Sequence, residues 1–185
     1  MTRMDAIKYI AEELRDQLVI CNLGFPSQEL YNVKDSPAFF YMLGSIGLAS
    51  SIGLGLAEST TKKVVVIDGD GSLLYNLGSL VTVATQKPEN FFWIVLDNES
   101  HGSTGFQRSY DASVTSLEKL ASAAGFTKVT VADDKGSLKE ALKLLDEHGP
   151  LFLLAKIEKG NAKVDPIPLS PASMKSRFME EVKKG

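Results

Sequence analysis

An aspartate and an asparagine follow two apolar segments that are separated by a stretch with helical periodicity. Asp70 stands in GDGS, just after the run Lys63–Asp68, and Asn98 directly follows the run Phe91–Asp97. If these runs are adjacent parallel strands, their carboxyl ends lie about 4.8 Å apart at one edge of a sheet. A carboxylate and an amide form a weak Mg²⁺ site, because Mg²⁺ prefers six oxygen ligands and usually completes its shell with phosphate and water. The missing ligands should come from a diphosphate.

Small residues surround this aspartate. Gly69 and Gly71 have no side chains, so the backbone beside Asp70 can turn sharply and approach a phosphate, and Ser72 is expected to begin the following helix at its positive end. Taken alone, GDGS is better explained as an ordinary acidic turn with Ser72 as the helix cap. The presence of Asn98 at the end of the second predicted strand favours a ligand site instead.

Strand-like and helix-like segments alternate along the chain, which predicts a doubly wound α/β fold: a mainly parallel sheet with helices on both faces. We expect one domain over residues 1–185, with a C-terminal arm at about 160–185 that lies over the domain or over a neighbour. The predicted strands are Leu18–Asn22, Phe39–Leu43, Lys63–Asp68, Phe91–Asp97, Thr127–Val131 and Leu151–Ile157.

The segment Ser36–Ala57 carries no charged residue over a length that could cross a bilayer. Its many glycines and serines, and the charged sequence on either side, favour a buried helix that is apolar all round over a membrane span. Ala49, Gly53 and Ala57 recur at four-residue spacing and form a small-residue face. That face could contact a partner helix or pack tightly within the monomer, and the sequence leaves both options open.

Composition excludes several classes of protein. Lys and Arg total 20 against 23 Asp and Glu, evenly mixed, so no basic face indicates nucleic-acid binding. Cys21 is the only cysteine, which rules out an internal disulfide framework and thiolate clusters. The N-terminal segment has an amphipathic helical pattern without the apolar core of a signal peptide, so a cytoplasmic protein without a membrane segment is expected.

The GDGS motif and the asparagine of LDNES together resemble the signature of thiamine-diphosphate enzymes, in which an acid and an amide bind the Mg²⁺ that holds the cofactor's diphosphate. GSIG at Gly44–Gly47 resembles the segment of 2-oxo-acid decarboxylases that contacts the aminopyrimidine. Longer matches between Gly24 and Gln107 resemble the β subunits of sulfopyruvate decarboxylases and, next, phosphonopyruvate decarboxylases. The implied activity is release of CO₂ from an anionic 2-oxo acid, with sulfopyruvate as the first expectation.

The resemblance also implies roles for individual residues. The Gly44 carbonyl would accept from the cofactor's amine, and Ile46 would wedge beneath it and enforce its bent form. By residue type and position, His101 could shuttle a proton, meet an acidic group of the substrate or be an ordinary hydrogen-bonded loop histidine. Arg108 is either a candidate for binding the substrate's sulfonate or phosphonate or an exposed loop arginine. The implied metal ligands are Asp70, Asn98 and the backbone carbonyl of Ser100, and the implied cofactor contacts are Gly44, Ser45, Ile46, Gly69, Gly71, Ser72, Gly102, Ser103 and Thr104.

The chain departs from the family pattern in two places. Ser100 stands where a glycine is expected, and the loop after GSTG carries Phe106, Arg108 and Ser109 in place of small residues and proline. The changed loop leaves the identity of the 2-oxo acid open.

The resemblance further implies a partner, because family enzymes use a glutamate that lies on a separate pyrimidine-binding domain. None of Glu12, Glu13, Glu29 and Glu58 occurs in a recognisable version of that motif. We therefore expect an α-type subunit that supplies the glutamate, a hetero-oligomer, and an inactive or homodimeric chain when alone. A non-enzymatic binding module with this fold is the alternative. A dinucleotide-binding dehydrogenase is disfavoured, because GLGLAE breaks the glycine motif at Glu58 and lies within a helix.

Overall fold

The computed structural model describes residues 1–184, and a six-stranded sheet forms its centre. The strands of this sheet are β1 Leu18–Cys21, β2 Phe39–Tyr41, β3 Val64–Gly69, β4 Phe91–Asp97, β7 Lys128–Ala132 and β8 Leu151–Lys156, while β5 Ser100–His101 and β6 Gln107–Arg108 form a separate antiparallel pair. The spatial order is β2-β1-β3-β4-β8-β7 and every neighbouring pair is parallel. The predicted mainly parallel sheet is confirmed.

Helices cover both faces of the sheet. They are α1 Arg3–Glu13, α2 Phe25–Val33, α3 Ala49–Ala57, α4 Asp70–Tyr75, α5 Gly78–Gln86, α6 Leu117–Ala124, α7 Lys135–Leu142 and α8 Pro171–Val182, with short 3₁₀ turns at Tyr110–Ala112 and Lys143–Asp146. Apolar residues of α1, α2 and α7 share one core with the sheet, and those of α3 to α6 share the other. This is the doubly wound arrangement that the alternating sequence predicts.

Strands that are covered on both faces must be apolar on both sides, and β3 and β4 are. Val65 and Ile67 belong to one core, whereas Val64 and Val66 belong to the other. Trp93 of β4 is fully buried and packs edge-on against Phe152 of β8 with ring centroids 5.7 Å apart. The near-continuous apolar runs in the sequence are therefore a direct consequence of the sheet's double cover.

The uncharged segment Ser36–Ala57 is not one buried helix, and that prediction was wrong. It contains β2, which ends at Tyr41 and not at Leu43, then a loop through Leu48, and only then α3. The helix is also exposed along one side, at Ser51, Ile52 and Gly55. A strand, a loop and a short helix in succession produced an uninterrupted apolar stretch. Within residues 1–184, no helix has the length and apolarity needed to cross a membrane.

The small-residue face of α3 packs within the monomer, which resolves the choice that the sequence left open. Ala49, Gly53 and Ala57 are all buried. A Cβ added at Gly53 would overlap the Cγ2 methyl of Val66 on β3 and lie 3.1 Å from Cε2 of Phe91. The glycine lets α3 approach the sheet closely, so this face is not available to a partner helix.

The C-terminal arm lies over this chain's own domain. After β8 the chain runs without regular secondary structure to Ser170, whose side chain caps α8. Met174 and Phe178 of α8 are buried, and Phe178 contacts Phe40 at a centroid distance of 5.4 Å. Arg177 binds Asp35 through two hydrogen bonds of 2.7 and 2.6 Å. The arm is thus anchored beside β2 at the edge of the sheet.

Candidate functional site

A cleft lies at the carboxyl edge of the sheet, where the strand order reverses. β1 has β2 on one side and β3 on the other, so the chain leaves β1 in one direction and later crosses back in the opposite direction. Open α/β sheets bind their ligands outside such a point. The cleft is lined by the segments that follow or end β1, β3 and β4, which supply residues 22–26, 69–72, 98 and 100–103.

Asp70 and Asn98 both line this cleft, as their spacing predicts. Asp70 is the first residue of α4 and is 4% exposed. Asn98 is also buried, and its side-chain oxygen accepts a hydrogen bond of 3.0 Å from the backbone N–H of Ser100. Glu99 between them adopts a left-handed conformation with φ of 54°. This turn fixes the asparagine and brings Ser100 into the lining of the same cleft.

Asp70 belongs to a buried cluster of three carboxylates. One oxygen each of Asp70, Asp97 and Asp111 lies within 4.8 Å of the others. Burial, followed by the charge of Asp111, raises the pKa of Asp70 to about 7. Burial is also the main reason that the pKa of Asp111 is raised to about 6. Like charges this close, in a buried position, favour a cation between them.

The cluster has free ligand atoms for such a cation. Asp97 is paired with Lys156 and accepts from the backbone N–H of Glu99, so its charge is balanced. In contrast, both carboxylate oxygens of Asp111 are buried without a hydrogen-bond partner among residues 1–184. Oxygen donors with unsatisfied negative charge suit a hard divalent cation such as Mg²⁺. The negative charge around Asp70 therefore suits a divalent cation at that residue, as the sequence implies.

Ser109 and Asp111 also belong to this cluster, and no sequence pattern indicates it. Ser109 donates a 2.8 Å hydrogen bond from its hydroxyl to Oδ2 of Asp70. Both residues follow β6, and only the tertiary fold brings this part of the chain next to Asp70. Asp97 could have been noticed, because it directly precedes Asn98 at the end of a strand.

The second glycine of GDGS allows a close approach of another side chain. A Cβ at Gly71 would lie 2.6 Å from both Cε1 and Nδ1 of His101, so the imidazole packs directly on this glycine. His101 lines the cleft, is half-buried, and stacks edge-on with Tyr75 at 6.2 Å. Gly69 also lines the cleft. The structure thus places the histidine in the lining of the cleft, whereas its chemical role stays a prediction.

Ser72 does not begin the helix, contrary to the prediction, because α4 starts two residues earlier at Asp70. Its buried hydroxyl oxygen accepts a 3.0 Å hydrogen bond from the backbone N–H of Gly47. Gly47 has a positive φ of 86°, and the side chain of Asn76 donates to its carbonyl at 2.9 Å. Ser72 lines the cleft and at the same time fixes the GSIG loop to α4.

The remaining predicted residues divide into two groups. Ile46, Gly102 and Ser103 line the cleft, and the Ile46 side chain is 45% exposed. Gly44, Ser45, Thr104 and Arg108 are exposed and lie outside the lining. Arg108 donates from its guanidinium to the carbonyl of Ala112 on its own loop. This contact lies within the arginine's own loop, and a role for Arg108 in substrate binding stays a prediction.

Residues of the first loop complete the cleft, and the sequence reasoning missed them. Asn22 follows β1, and its side chain accepts a 2.9 Å hydrogen bond from the N–H of Leu23. Gly24 has a positive φ of 85°, which lets the chain turn into α2. The GFP sequence that starts here was a usable signal, because a glycine and a proline after a strand mark the start of a helix. Arg3, Leu96 and Ile157 also line the cleft.

Comparison with known proteins decides the family. Residues 22–155 match the model of the thiamine pyrophosphate enzyme C-terminal TPP-binding domain. The chain belongs to this family. The sulfopyruvate decarboxylase subunit beta of Methanothermobacter thermautotrophicus is 49% identical over 99% of this chain and 96% of that protein. The resemblance to this group is confirmed.

Two further matches extend the comparison. The phosphonopyruvate decarboxylase of Streptomyces viridochromogenes is 39% identical over 96% of this chain but only 45% of its own length. An X-ray structure from Mycobacterium smegmatis, of a protein assigned to the thiamin diphosphate-dependent enzymes, superimposes with a TM-score of 0.69 over 86% of this chain and 32% of that one. Its identity is 22%, so it supports the TPP-binding fold alone.

Proposed function

We propose that the chain is the β-type subunit of a thiamine-diphosphate-dependent decarboxylase that converts sulfopyruvate to sulfoacetaldehyde and CO₂. The observation that carries this proposal is the meeting of Asp70 and Asn98 in one cleft of a TPP-binding domain. Sulfopyruvate is preferred because the relative of matching length bears that name. Phosphonopyruvate is the alternative substrate, supported by the 39% identical relative.

The cofactor, when bound, supplies a carbon nucleophile and accepts the electron pair that departing CO₂ leaves behind. The residues of this chain bind and orient it. Asp70, Asn98 and the Ser100 carbonyl would hold Mg²⁺. The backbone at Gly69 and Gly71, with Ser72, Gly102, Ser103 and Thr104, would bind the diphosphate. Gly44, Ser45 and Ile46 would position the rings.

Charge explains why a metal is required in this scheme. Asp70 is buried, and a diphosphate beside an ionised buried carboxylate is strongly repelled. A divalent cation between them attracts both the carboxylate and the diphosphate, and it keeps Asp70 ionised. The unpartnered oxygens of Asp111 add to the negative charge that the cation neutralises.

A partner subunit completes the proposal, and the relative's name, subunit beta, supports it. Glu29 of this chain is fully buried and bound to Arg3, and within residues 1–184 the cleft is lined by no glutamate. We assign the activating glutamate to an α-type pyrimidine-binding subunit in a hetero-oligomer. The phosphonopyruvate decarboxylase, which this chain matches over 45% of its length, has a further portion that could correspond to such a subunit.

The surface beside the cleft suits such a partner. Leu43, Ile46, Leu48 and Ile52 are between 38% and 64% exposed, and they surround the GSIG loop in a segment without charged residues. Clustered apolar side chains at a surface are typical of protein interfaces. A subunit that covers them would also bring its own side chains to the open side of the cleft. We place the complex in the cytoplasm.

The test is co-expression with a candidate α-type polypeptide, followed by an aldehyde assay on sulfopyruvate, phosphonopyruvate and pyruvate. The pair should release aldehyde from sulfopyruvate in the presence of Mg²⁺, and the purified chain alone should be inactive. Robust turnover by the chain alone would contradict the need for a partner. Failure of the pair to act on any 2-oxo acid would favour a binding module with this fold.

The same assay tests the anion-binding candidates. If Arg108 binds the sulfonate, Arg108→Ala should raise KM for sulfopyruvate about 10-fold or more and leave KM for pyruvate nearly unchanged, because a charge-assisted contact contributes about 1.5–3 kcal/mol. His101→Ala should lower kcat for both acids if the imidazole transfers a proton. Equal effects of Arg108→Ala on both acids would show that Arg108 does not bind the anion.

A further inference from the structure

A buried ion pair lies at the wall of the cleft, where Arg3 is one of the lining residues and Glu29 lies behind it. Arg3 donates to Glu29 through Nε at 3.0 Å and through Nη2 at 2.7 Å, and the two side chains are 6% and 0% exposed. The backbone N–H of Ala162 donates a further hydrogen bond of 3.1 Å to Oε1 of Glu29. Buried charges are tolerated when they are paired and their remaining polar atoms are bonded, as here. The hydrogen bonds of the pair therefore fix the Arg3 guanidinium, which can orient a neighbouring side chain.

Asn161 connects this ion pair to the loop that contains Gly102, called the Gly102 loop below. Its side-chain oxygen accepts a 2.9 Å hydrogen bond from Nη2 of Arg3, and its side-chain nitrogen donates at 3.1 Å to the carbonyl of Gly102. Both polar atoms of the amide are hydrogen-bonded, so its orientation is fixed by Arg3 on one side and by the loop on the other. A Cβ at Gly102 would lie 3.2 Å from Oδ1 of Asn161, so the loop rests closely on this side chain.

Gly102 is central to the part of the loop that faces the cleft. It lies between His101 and Ser103, and two residues after Ser100, and all four residues line the cleft. The loop turns back on itself, since the N–H of Phe106 donates to the carbonyl of His101 at 3.0 Å. Asn161 adds a tether from a segment 59 residues away. A loop held at its centre loses less conformational freedom when a ligand binds.

We propose that Asn161, oriented by the Arg3–Glu29 pair, is a positioning residue that holds the Gly102 loop in the conformation that binds the metal and diphosphate. The inference rests on the proposed function, because it assigns that loop to the cofactor. Asn161 itself does not touch the reacting atoms. It acts through the carbonyl of Gly102, and its removal should weaken cofactor binding without unfolding the domain.

Substitution can distinguish the two hydrogen bonds of the Asn161 side chain, one to Arg3 and one to Gly102. Asn161→Asp keeps an acceptor for Arg3 but replaces the donor to Gly102 by an oxygen that repels its carbonyl. Asn161→Ala removes both contacts. Asn32→Ala is the matched control, because the Asn32 side chain also donates from its amide to a backbone carbonyl, that of Asp165 in the arm, at 2.8 Å but at an exposed position away from the cleft.

The first measurement is hydrogen exchange in the full chain without cofactor. Both Asn161 variants should exchange at least about fivefold faster than the unsubstituted chain over peptides that span residues 99–109, since a tether of the loop is lost. Asn32→Ala should leave these peptides unchanged. Circular dichroism and thermal unfolding check that each variant is folded. If Asn161→Ala does not fold, Asn161→Asp alone provides the test.

The second measurement is calorimetric binding of thiamine diphosphate with Mg²⁺ to the assembled complex. The Asn161 variants should bind about 5- to 30-fold more weakly, and Asn32→Ala should bind normally. Unchanged exchange and affinity in both Asn161 variants would overturn the inference, as would equal losses in Asn32→Ala. Lack of binding by the unsubstituted complex would instead overturn the proposed function, and the exchange data would still decide whether Asn161 holds the loop.

Discussion

The hydroxyl of Ser109 donates a hydrogen bond to Oδ2 of Asp70 at 2.8 Å, and both side chains are buried. The bond joins the loop after β6 to the first residue of α4, across 39 positions of sequence. It favours the ionised form of Asp70, whereas burial and the charge of Asp111 favour the protonated form. The protonation state of the central carboxylate is therefore set by a balance that single substitutions can shift.

Ser109→Ala should move Mg²⁺ binding to higher pH. Without the hydroxyl, the pKa of Asp70 rises further, so protons compete more strongly with the metal, and the pH at half-maximal binding should increase by about one unit. Calorimetric titration of Mg²⁺ between pH 6 and 8.5 measures the shift. Ser113→Ala is the control, because that exposed hydroxyl donates only to the carbonyl of Tyr110 on the same loop. A Ser109→Ala profile that matches this control would show that the hydrogen bond is unimportant.

The metal-free chain should lose stability as the pH rises from about 4 to about 7. The folded-state pKa of Asp70 is raised to about 7 by burial, so in this range the native state binds more protons than the unfolded state. Burial raises the pKa of Asp68 to about 6 and acts in the same direction. Denaturant unfolding in chelator should show the decrease, and Asp70→Asn should remove about 1–4 kcal/mol of it. A rise in stability over this range would contradict the assigned pKa direction.

Gly71→Ala should displace the imidazole of His101, which lines the cleft. The added methyl carbon would lie 2.6 Å from the ring, so the ring must move, at a cost of about 1 kcal/mol in the free energy of unfolding. The chain has two histidines, and the other, His148, is 86% exposed and provides an internal reference. The His101 ring resonances should shift in the NMR spectrum while those of His148 stay in place. An unshifted His101 would mean that the ring does not pack on Gly71.

Gly53→Ala and Gly55→Ala should have opposite effects on stability, although both lie in α3. A methyl group at Gly53 would overlap Val66, so this substitution should cost about 1–3 kcal/mol. A methyl group at Gly55 would meet no atom within 4 Å, and alanine is the better helix former, so Gly55→Ala should be neutral or stabilise by up to about 1 kcal/mol. Denaturant unfolding of both variants checks this. Equal effects would contradict the close packing of α3 on β3.

The carboxyl edge of the sheet was predictable from the sequence, because buried parallel strands are continuous apolar runs and their ends converge at one edge. That geometry was enough to place Asp70 beside Asn98. Residues that reach the site through tertiary contacts were not predictable. Asp111 lies in a short 3₁₀ turn and Asn161 in a segment without regular structure, and no local pattern indicates that their side chains approach the segments after β3 and β4.

Local ambiguity explains the other errors. The apolar segment Ser36–Ala57 fits a buried helix by composition, yet it contains a strand of the sheet, β2, and a separate short helix, α3. The small residues of α3 are equally suited to contact a partner helix or a sheet, and only the position of Val66 decides between them. Ser72 has the character of a helix cap, but its hydroxyl is used by Gly47.

The most direct test of the account is whether thiamine diphosphate binds through a metal at Asp70. Calorimetry on the complex with its α-type partner should show binding in Mg²⁺, and that binding should be lost in chelator and in Asp70→Ala. Asp16→Ala should bind normally, because Asp16 is exposed just before β1, at the opposite edge of the sheet. If Asp70→Ala retains the cofactor as well as Asp16→Ala does, or if chelator has no effect, the cleft at the ends of β3 and β4 is not the cofactor site.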